Sequence, residues 1–469
     1  MGQRFISCDR EQALLLPPDL REWLPEDHLA WFVLDTIDVL GLDAFYAYYR
    51  ADGRGRPAHD PQMMLALLVF AYAVGERSSR AIERRCQEDI AFRVIAANQV
   101  PDHATIARFR VRHEQALGEI FSQVLGLCAQ AGLVEVGVIA VDGTKLAAMA
   151  SDSAVRTYEQ IAKEILQDAS AVDAAEDEQF GDARGDELPE GLRSSGDRRA
   201  RLREAKQALD AQRTAQAKPV PRGRAERLAE CQRRLEQDHE LERRVIAEHR
   251  EWRKEGIASD GSRRMSGGHI LIADPTPQAP AGKINTTDPD ARRMKSGRTF
   301  IPAYNAQAVS TQGQIIVAAE ITTEGGDVQQ LDPMISSAER ELAAAGITEP
   351  PGVVVADAGY WANGHIDALR SRGIIPVIAP DSDRNAPRKT RSGGPYDFMR
   401  RVLATEAGSE LYAKRQWMIE PVFAQIKSNR GIDHFRRRGR AAARSEWRLI
   451  AATHNLLKLH RHSIRPTTA

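Results

Sequence analysis

The sequence predicts an α/β region built on a mixed sheet flanked by helices, preceded by an all-α N-terminal region and interrupted by a helical insertion. Three observations predict it. Residues 1 to about 130 carry helical apolar spacing, and the period changes at residue 133, where LVEVGVIAV begins a β-rich run. Residues 153–258 are charged and helical with little β character. After about residue 259, strand and helix patterns alternate as β-β, α, β, α, β, loop, α, the order that gives a sheet covered by helices.

Taken in order, LAWFVLDTIDVLGLDAFYAYY (29–49) reads as an apolar helical pair broken near Gly41. ADGRGRPAHDP (51–61) is a basic turn, and Asp60-Pro61 is a helix start for PQMMLALLVFAYAVGE. SSRAIERRCQEDIAFRVIA opens with serine caps. Asp102 caps a last helix, HATIARFRVRHEQALGEIFSQVLGLCAQAG, with Ile106 and Phe109 inward and Arg108 and Arg112 on an outer face. Short helices followed by an arginine-bearing one suggest either a helix-turn-helix module or a plain packing domain.

The run Val134–Val141 predicts a buried strand ending at Asp142-Gly143, which is read either as a carboxylate at a strand edge or as an ordinary turn. Two long helices are expected in the insertion, RRARLREAKQALDAQR and RAERLAECQRRLEQDHELERRVIAEHREWRKEG, joined through KPVPRG. Leu228, Cys231, Leu235, Leu241 and Val245 form a thin apolar seam on the second, suggesting a helical hairpin or short coiled coil. AYNAQAVS (303–310) and GQIIVAAEITT (313–323) make a hairpin around Thr311–Gly313, and Asp327 caps the helix after it. GVVVADAGYW is an apolar strand ending at Asp357, and IIPVIAP (374–380) is a further short one. In LYAKRQWMIEPVFAQIKSNRG, Ile419, Val422, Phe423 and Ile426 recur at helical spacing. Glu420 lies beside that stripe, Lys427 two turns on, and Gly431 at the end.

Composition is that of a globular chain of about two to four domains. No window approaches the roughly 18 apolar residues of a membrane span. MGQRFISCDREQ lacks a signal-peptide core, so a cytoplasmic location is expected. Cys8, Cys86, Cys128 and Cys231 are far apart, which argues for reduced thiols and against a zinc site. Net charge is zero, yet from Lys414 to Arg465 basic residues outnumber acidic ones thirteen to three. Such a run is either a solvated helix face or a surface for polyanions.

Asp142, Asp357 and Glu420 each adjoin a buried element, and a mixed sheet would bring the two aspartates side by side. Carboxylates converging without His or Cys suit Mg²⁺ or Mn²⁺. Two such ions, about 4 Å apart, clamp both oxygens of a phosphoryl displacement. Cations such as Arg415 and Lys427 are then needed to hold phosphates against the acids.

VDGTK, VVADAGYW and YAKRQWMIEPVFAQIKSNRG resemble the three active-site segments of bacterial insertion-sequence transposases of the DDE type. DPDARRMKSG with AYNAQAVS, and GGDVQQLDPM, resemble segments between the first two acids of that family. GRGRPAHDPQMMLALLVFAYAVGERSSRAIERRCQEDIAFRVIA with PDHATIARFR is similar to its helical DNA-binding domain. The resemblance covers nearly the whole chain outside 153–258. It implies an RNase H-like catalytic domain (131–152 and 259–440), a helical DNA-binding domain (1–130), a coiled-coil-like insertion (153–258) and a basic C-terminal helix or tail (441–469).

By the same resemblance, Asp142, Asp357 and Glu420 bind two Mg²⁺ or Mn²⁺ ions and carry catalysis. Tyr412, Arg415 and Lys427 match the Tyr, Arg and Lys around the Glu and contact DNA-end phosphates. Relatives often place three residues between that Arg and the Glu, whereas four separate Arg415 from Glu420. Arg436, Arg437, Arg438, Arg108 and Arg112 are further candidate DNA contacts. Trp361 is read as a core residue, with stacking on an unpaired base as the alternative, and His434 as a surface residue. The implied activity is binding of terminal inverted repeats, metal-dependent cleavage and strand transfer by at least a homodimer on transposon-end and target duplexes, in the cytoplasm at the bacterial nucleoid. A nuclease without joining activity and a non-catalytic DNA-binding remnant are the competing readings. Glycosidase chemistry has no use for the basic surround.

Overall fold

A computed structural model describes residues 19–49, 57–180, 223–255, 282–381 and 393–464. The expected helix 198–213, most of the basic turn 51–61, Cys8 and most of the loop 381–394 lie outside the described residues. The chain divides into two compact units, Met1–Met149 with Asp290–Ala469, and Ala150–Pro289.

The first unit opens with helices α1 (Leu29–Val39), α2 (Asp43–Tyr46), α3 (Pro61–Ala73), α4 (Ser79–Glu88), α5 (Ile90–Ile95), α6 (His103–Arg112) and α7 (Glu114–Gln130). Their starts follow side-chain capping: Asp60 accepts from Gln62 N–H at 3.0 Å, and Asp102 from Thr105 N–H at 2.8 Å. α3 is buried on every side from Met64 to Ala73, which explains its unbroken apolar sequence. The single helix expected after Asp102 is in fact two, divided at His113. That ring is buried against Phe45, Phe109, Tyr48 and Tyr49, and burial holds its pKa down at about 4. Strand β1 (Val138–Ala147) follows.

The second unit holds β2 (Val155–Thr157), α8 (Tyr158–Phe180), α9 (Arg224–Glu255) and β3 (Lys283–Asn285), with β2 and β3 paired antiparallel. Ile161 of α8 packs with Leu228, Cys231 and Leu235 of α9 and with Ile284. The apolar seam is shorter than expected, since Leu241 and Val245 are exposed and Ile246 is buried instead. A small ribbon also stands where little β structure was expected.

The first unit resumes with β4 (Arg292–Ser296), β5 (Thr299–Thr311), β6 (Ile316–Thr322), α10 (Leu331–Ala344), β7 (Val353–Ala356), α11 (Asn363–Ser371) and β8 (Ile375–Ile378). Among the described residues the sheet runs β4-β5-β1-β7-β8, with β6 also paired to β5. β1 is antiparallel to β5 and parallel to β7, so the sheet is mixed and is flanked by helices. The β5–β6 hairpin forms as its turn residues predict, with Gln314 at φ +62°. Asp142 does not end its strand: β1 continues to Ala147, and Asp142-Gly143 is no turn. Asp327 does not cap the following helix by a side-chain hydrogen bond.

The C-terminal run is α12 (Gly394–Ala404), α13 (Glu406–Ala413), α14 (Arg415–Met418), α15 (Glu420–Ala424), a π-helical turn Gln425–Asn429, and α16 (Arg440–Ser463). α16 packs on α3, α7 and β6 and is buried from Ser445 to Leu456. Asn455 clamps the edge of β6, accepting from Ile316 N–H and donating to Ile316 C=O, each at 2.8 Å. What charge counting made a basic tail is therefore a core helix. Arg444 pairs with Glu320, and Arg448 with Glu341 and the Gly118 carbonyl. Arg430 is buried, bonded to the carbonyls of Tyr72 and Ile450 and to Thr453 Oγ1. No described helix is long and apolar enough to cross a membrane, and Cys86, Cys128 and Cys231 are free buried thiols.

Candidate active site

β1 carries one acid and β7 leads into another. Val141 pairs with Ala356 on the neighbouring parallel strand, and Asp142, within β1, and Asp357, the first residue after β7, follow that last matched pair. β7 stops at Ala356, leaving β1 without a ladder partner on that side beyond Val141. Asp357 Oδ1 accepts from Gly359 N–H at 2.8 Å in a tight turn. Asp142 Oδ1 accepts from Gly143 N–H at 2.8 Å.

Glu420 arrives from the helical run, which is not the single helix expected. Pro421 has no N–H to give to Trp417, and the chain breaks at Ile419 before restarting at Glu420. Ile419, Val422, Phe423 and Ile426 are buried as their spacing predicts. On a regular helix, residues five apart point about 140° away from each other. The break cancels that divergence: Arg415 Nη2 lies 3.2 Å from Glu420 Oε1, while Nη1 lies 3.4 Å from Asp142 Oδ2. The four-residue spacing thus still brings Arg415 to Glu420. Arg415 Nε is buried with no hydrogen-bond partner, and its guanidinium stands 5.9 Å from the Tyr412 ring.

Lys427 Nζ donates to Thr144 Oγ1 at 3.1 Å, on the face of β1 that Asp142 shares. Burial, with Asp357 and Asp327 nearby, pushes the Asp142 carboxyl up to about 7. Among the described residues no three Asp, Glu, His or Cys side chains are gathered closely enough to hold a metal ion as they stand. The guanidinium between Asp142 and Glu420 supplies positive charge at that point, and the donor set around it is all oxygen. Both features fit a hard divalent cation.

Behind these acids is a network that sequence reasoning missed. Gly143 and Lys145 pair in register with Gln307 and Asn305, so the four share one face of the sheet. Asp327 Oδ1 accepts from Asn305 Nδ2 at 2.6 Å, Gln307 Nε2 at 2.8 Å and Lys145 Nζ at 3.2 Å. Tyr360 O–H donates to Gln307 Oε1; burial and the surrounding acids push this phenol well above its usual pKa, which keeps the proton in place. A Cβ at Gly143 would stand 2.1 Å from Gln307 Nε2, so only glycine lets that amide cross the strand. The available signal was two polar residues, Asn305 and Gln307, at alternate positions of an otherwise apolar strand.

The remaining candidates disperse. Arg437 forms an ion pair with Glu114 inside the fold and is held there, whereas Arg436 is exposed and Arg438 donates to the Met149 carbonyl at 3.3 Å. Arg108 and Arg112 are exposed on α6 and, with Tyr49, His59 and Phe109, line a cleft of about 510 Å³ away from the acids in sequence and fold. Arg112 stands over the rings of Tyr48 and Tyr49. Trp361 is 8% exposed and packs against Tyr396, with Nε1 unpartnered. His434 is part-buried and paired with Asp433 at 2.6 Å.

Comparison with known protein families gives two matches. A transposase domain (DUF772) matches residues 18–112, and a transposase DDE domain matches residues 266–456, the stretch that holds Asp357 and Glu420. No curated protein and no solved structure matches the chain. Most of the helical N-terminal part falls within the first match and β4 to β8 with Asp357 and Glu420 within the second, both domains of the same kind of protein, and the chain belongs to the DDE-type insertion-sequence transposases.

Proposed function

We propose that this transposase binds the terminal inverted repeats of its element, cuts the DNA there and joins the freed 3′-OH to target DNA. The observation that carries the reading is the bridge that Arg415 makes between Asp142 and Glu420, with Asp357 following β7, the parallel neighbour of the Asp142 strand. The order β6-β5-β1-β7-β8, an antiparallel meander followed by two parallel strands, supports an RNase H-like catalytic domain.

Asp142, Asp357 and Glu420 would hold two divalent ions, Mg²⁺ or Mn²⁺. Bound there, the ions would supply activation of the attacking oxygen and would offset charge on the leaving one. The chain's own residues do the rest. Arg415 releases the carboxylates and turns its unpartnered Nε and both Nη groups to the phosphate at the DNA end. Tyr412 lies against that guanidinium and limits its swing. Lys427 neutralises the next phosphate from the Asp142 face of β1. Arg108 and Arg112, on the far helical part, and the exposed Arg436 and Arg438 follow the duplex backbone. Two ends must be exchanged together, so the working complex is at least a homodimer on two DNA duplexes, with residues 153–258 as a dimer or DNA contact.

A joining assay tests this. Pre-cut terminal-repeat duplex carrying a free 3′-OH is incubated with supercoiled target and Mg²⁺. Strand-transfer products with wild type, absent with Glu420→Gln, are expected. Cutting without joining would make the protein a nuclease, and repeat-specific binding without either would make it a DNA-binding remnant.

A further inference from the structure

We infer that Asp327 is a fourth carboxylate of the site, with its free oxygen Oδ2 serving as a ligand for the divalent cation held by Asp357. This rests on the metal-dependent reading above. The carboxylate is used unevenly by the fold. Among the described residues Oδ1 takes all three donors, from Lys145, Asn305 and Gln307, and Oδ2 takes none. Here the three donors fix the plane of the group and leave Oδ2 open.

Its direction is set by the neighbouring turn. The turn Val328–Gln330 packs on Ala358–Tyr360, which carries the glycine after Asp357. Asp357 Oδ1 and Asp327 Oδ2 flank Gly359, 2.9 Å and 3.8 Å from where a Cβ on that glycine would stand. Two carboxylate oxygens therefore face one small space, and Gly359 keeps it clear. Asp327 lies on the face of β1 opposite to Arg415, and its approach to Asp357 is at Gly359, beyond the end of β7. A buried acceptor without a donor lies in the same network, over Gly143. Asn305 is fully buried, its amide N–H groups go to Asp327 and the Glu324 carbonyl, and its Oδ1 has no donor. An acceptor so placed is usually paired.

The alternative is that Asp327 only holds Lys145, Asn305 and Gln307 in place. Mn²⁺ binding separates the two. Dissociation constants for Mn²⁺, without DNA, are measured by electron paramagnetic resonance on wild type, Asp327→Asn and Asp142→Asn, with thermal denaturation of each. A ligand role predicts that Asp327→Asn weakens Mn²⁺ about tenfold or more. Unchanged affinity in a folded Asp327→Asn protein overturns the proposal, provided Asp142→Asn still loses the ion. If Asp142→Asn also binds Mn²⁺ like wild type, the metal reading itself is wrong. Should Asp327→Asn not fold, wild type is loaded with Fe²⁺ and treated with ascorbate and peroxide to cut the backbone beside the bound ion. Cuts at residues 325–328 together with those at 357 are expected, and their absence overturns the assignment.

Discussion

Arg415 and Glu420 are five residues apart, yet their side chains meet at 3.2 Å because the helix is interrupted between them at Ile419. The interruption is Pro421's doing, and it fixes the relation of the cation to the acids. The same guanidinium reaches Asp142, so in this state one arginine occupies the position between two carboxylates that a divalent ion would take.

Removing that guanidinium should therefore act on metal and DNA in opposite directions. Arg415→Gln is expected to tighten Mn²⁺ binding several-fold in the absence of DNA, since Asp142 and Glu420 lose a competing cation. Affinity for a terminal-repeat duplex should fall, with the salt dependence reduced by about one counterion. Calorimetry and gel shifts at several salt concentrations read both effects. Weaker Mn²⁺ binding in the variant would contradict the competition.

The basic C-terminal run should separate into structural and DNA-facing arginines. Arg430 is enclosed and bonded to Tyr72, Ile450 and Thr453, and its burial lowers its pKa to about 9. Arg430→Ala removes three enclosed hydrogen bonds and leaves a cavity, and should cost on the order of 3 kcal/mol of stability. Arg436→Ala and Arg438→Ala, at exposed sites, should stay within about 0.5 kcal/mol of wild type and weaken DNA binding. Urea denaturation and gel shifts on the three variants are the check, and equal stability of all three would refute the division.

Stability should fall as pH is lowered from 6.5. His454 is buried between Gln425 and the Gln314 carbonyl, and burial holds its pKa down to about 3. The unfolded chain takes up a proton near pH 6.5 while the folded chain does not, so its contribution is fully present above 6.5 and is lost progressively towards pH 3. His113, held at about 4, acts in the same direction. Urea midpoints between pH 7.5 and 5 should decline, and His454→Gln should flatten that decline. An identical slope in the variant would remove His454 from the explanation.

The parts of the site legible in the sequence were those written in local pattern. Apolar runs ending in Asp357 and flanking Glu420 gave a strand and a helical stripe, and the buried residues there follow the spacing. What escaped depends on partners distant in the chain. Asp142-Gly143 looks like a turn until Gln307 is known to cross Gly143, and Asp327 looks like a cap until Lys145, Asn305 and Gln307 claim its Oδ1. Charge counting failed at the C-terminus for a related reason. Arg430, Arg437 and Arg448 count as three cations, but each is matched by a carbonyl or carboxylate inside the fold, and Arg444 is paired with Glu320 at the surface. The break at Ile419 was readable from Pro421, which a helical apolar pattern had masked.

The most direct test of the account is cleavage of an end-labelled duplex that spans the boundary of the element's own terminal repeat, with Mg²⁺ or Mn²⁺, comparing wild type with Asp142→Asn and Glu420→Gln. The account predicts a cut at the boundary leaving a 3′-OH, made by wild type alone, while all three proteins still bind the repeat. Equal cutting by Glu420→Gln and wild type would contradict it, because the carboxylate that meets Arg415 would then have no part in the chemistry.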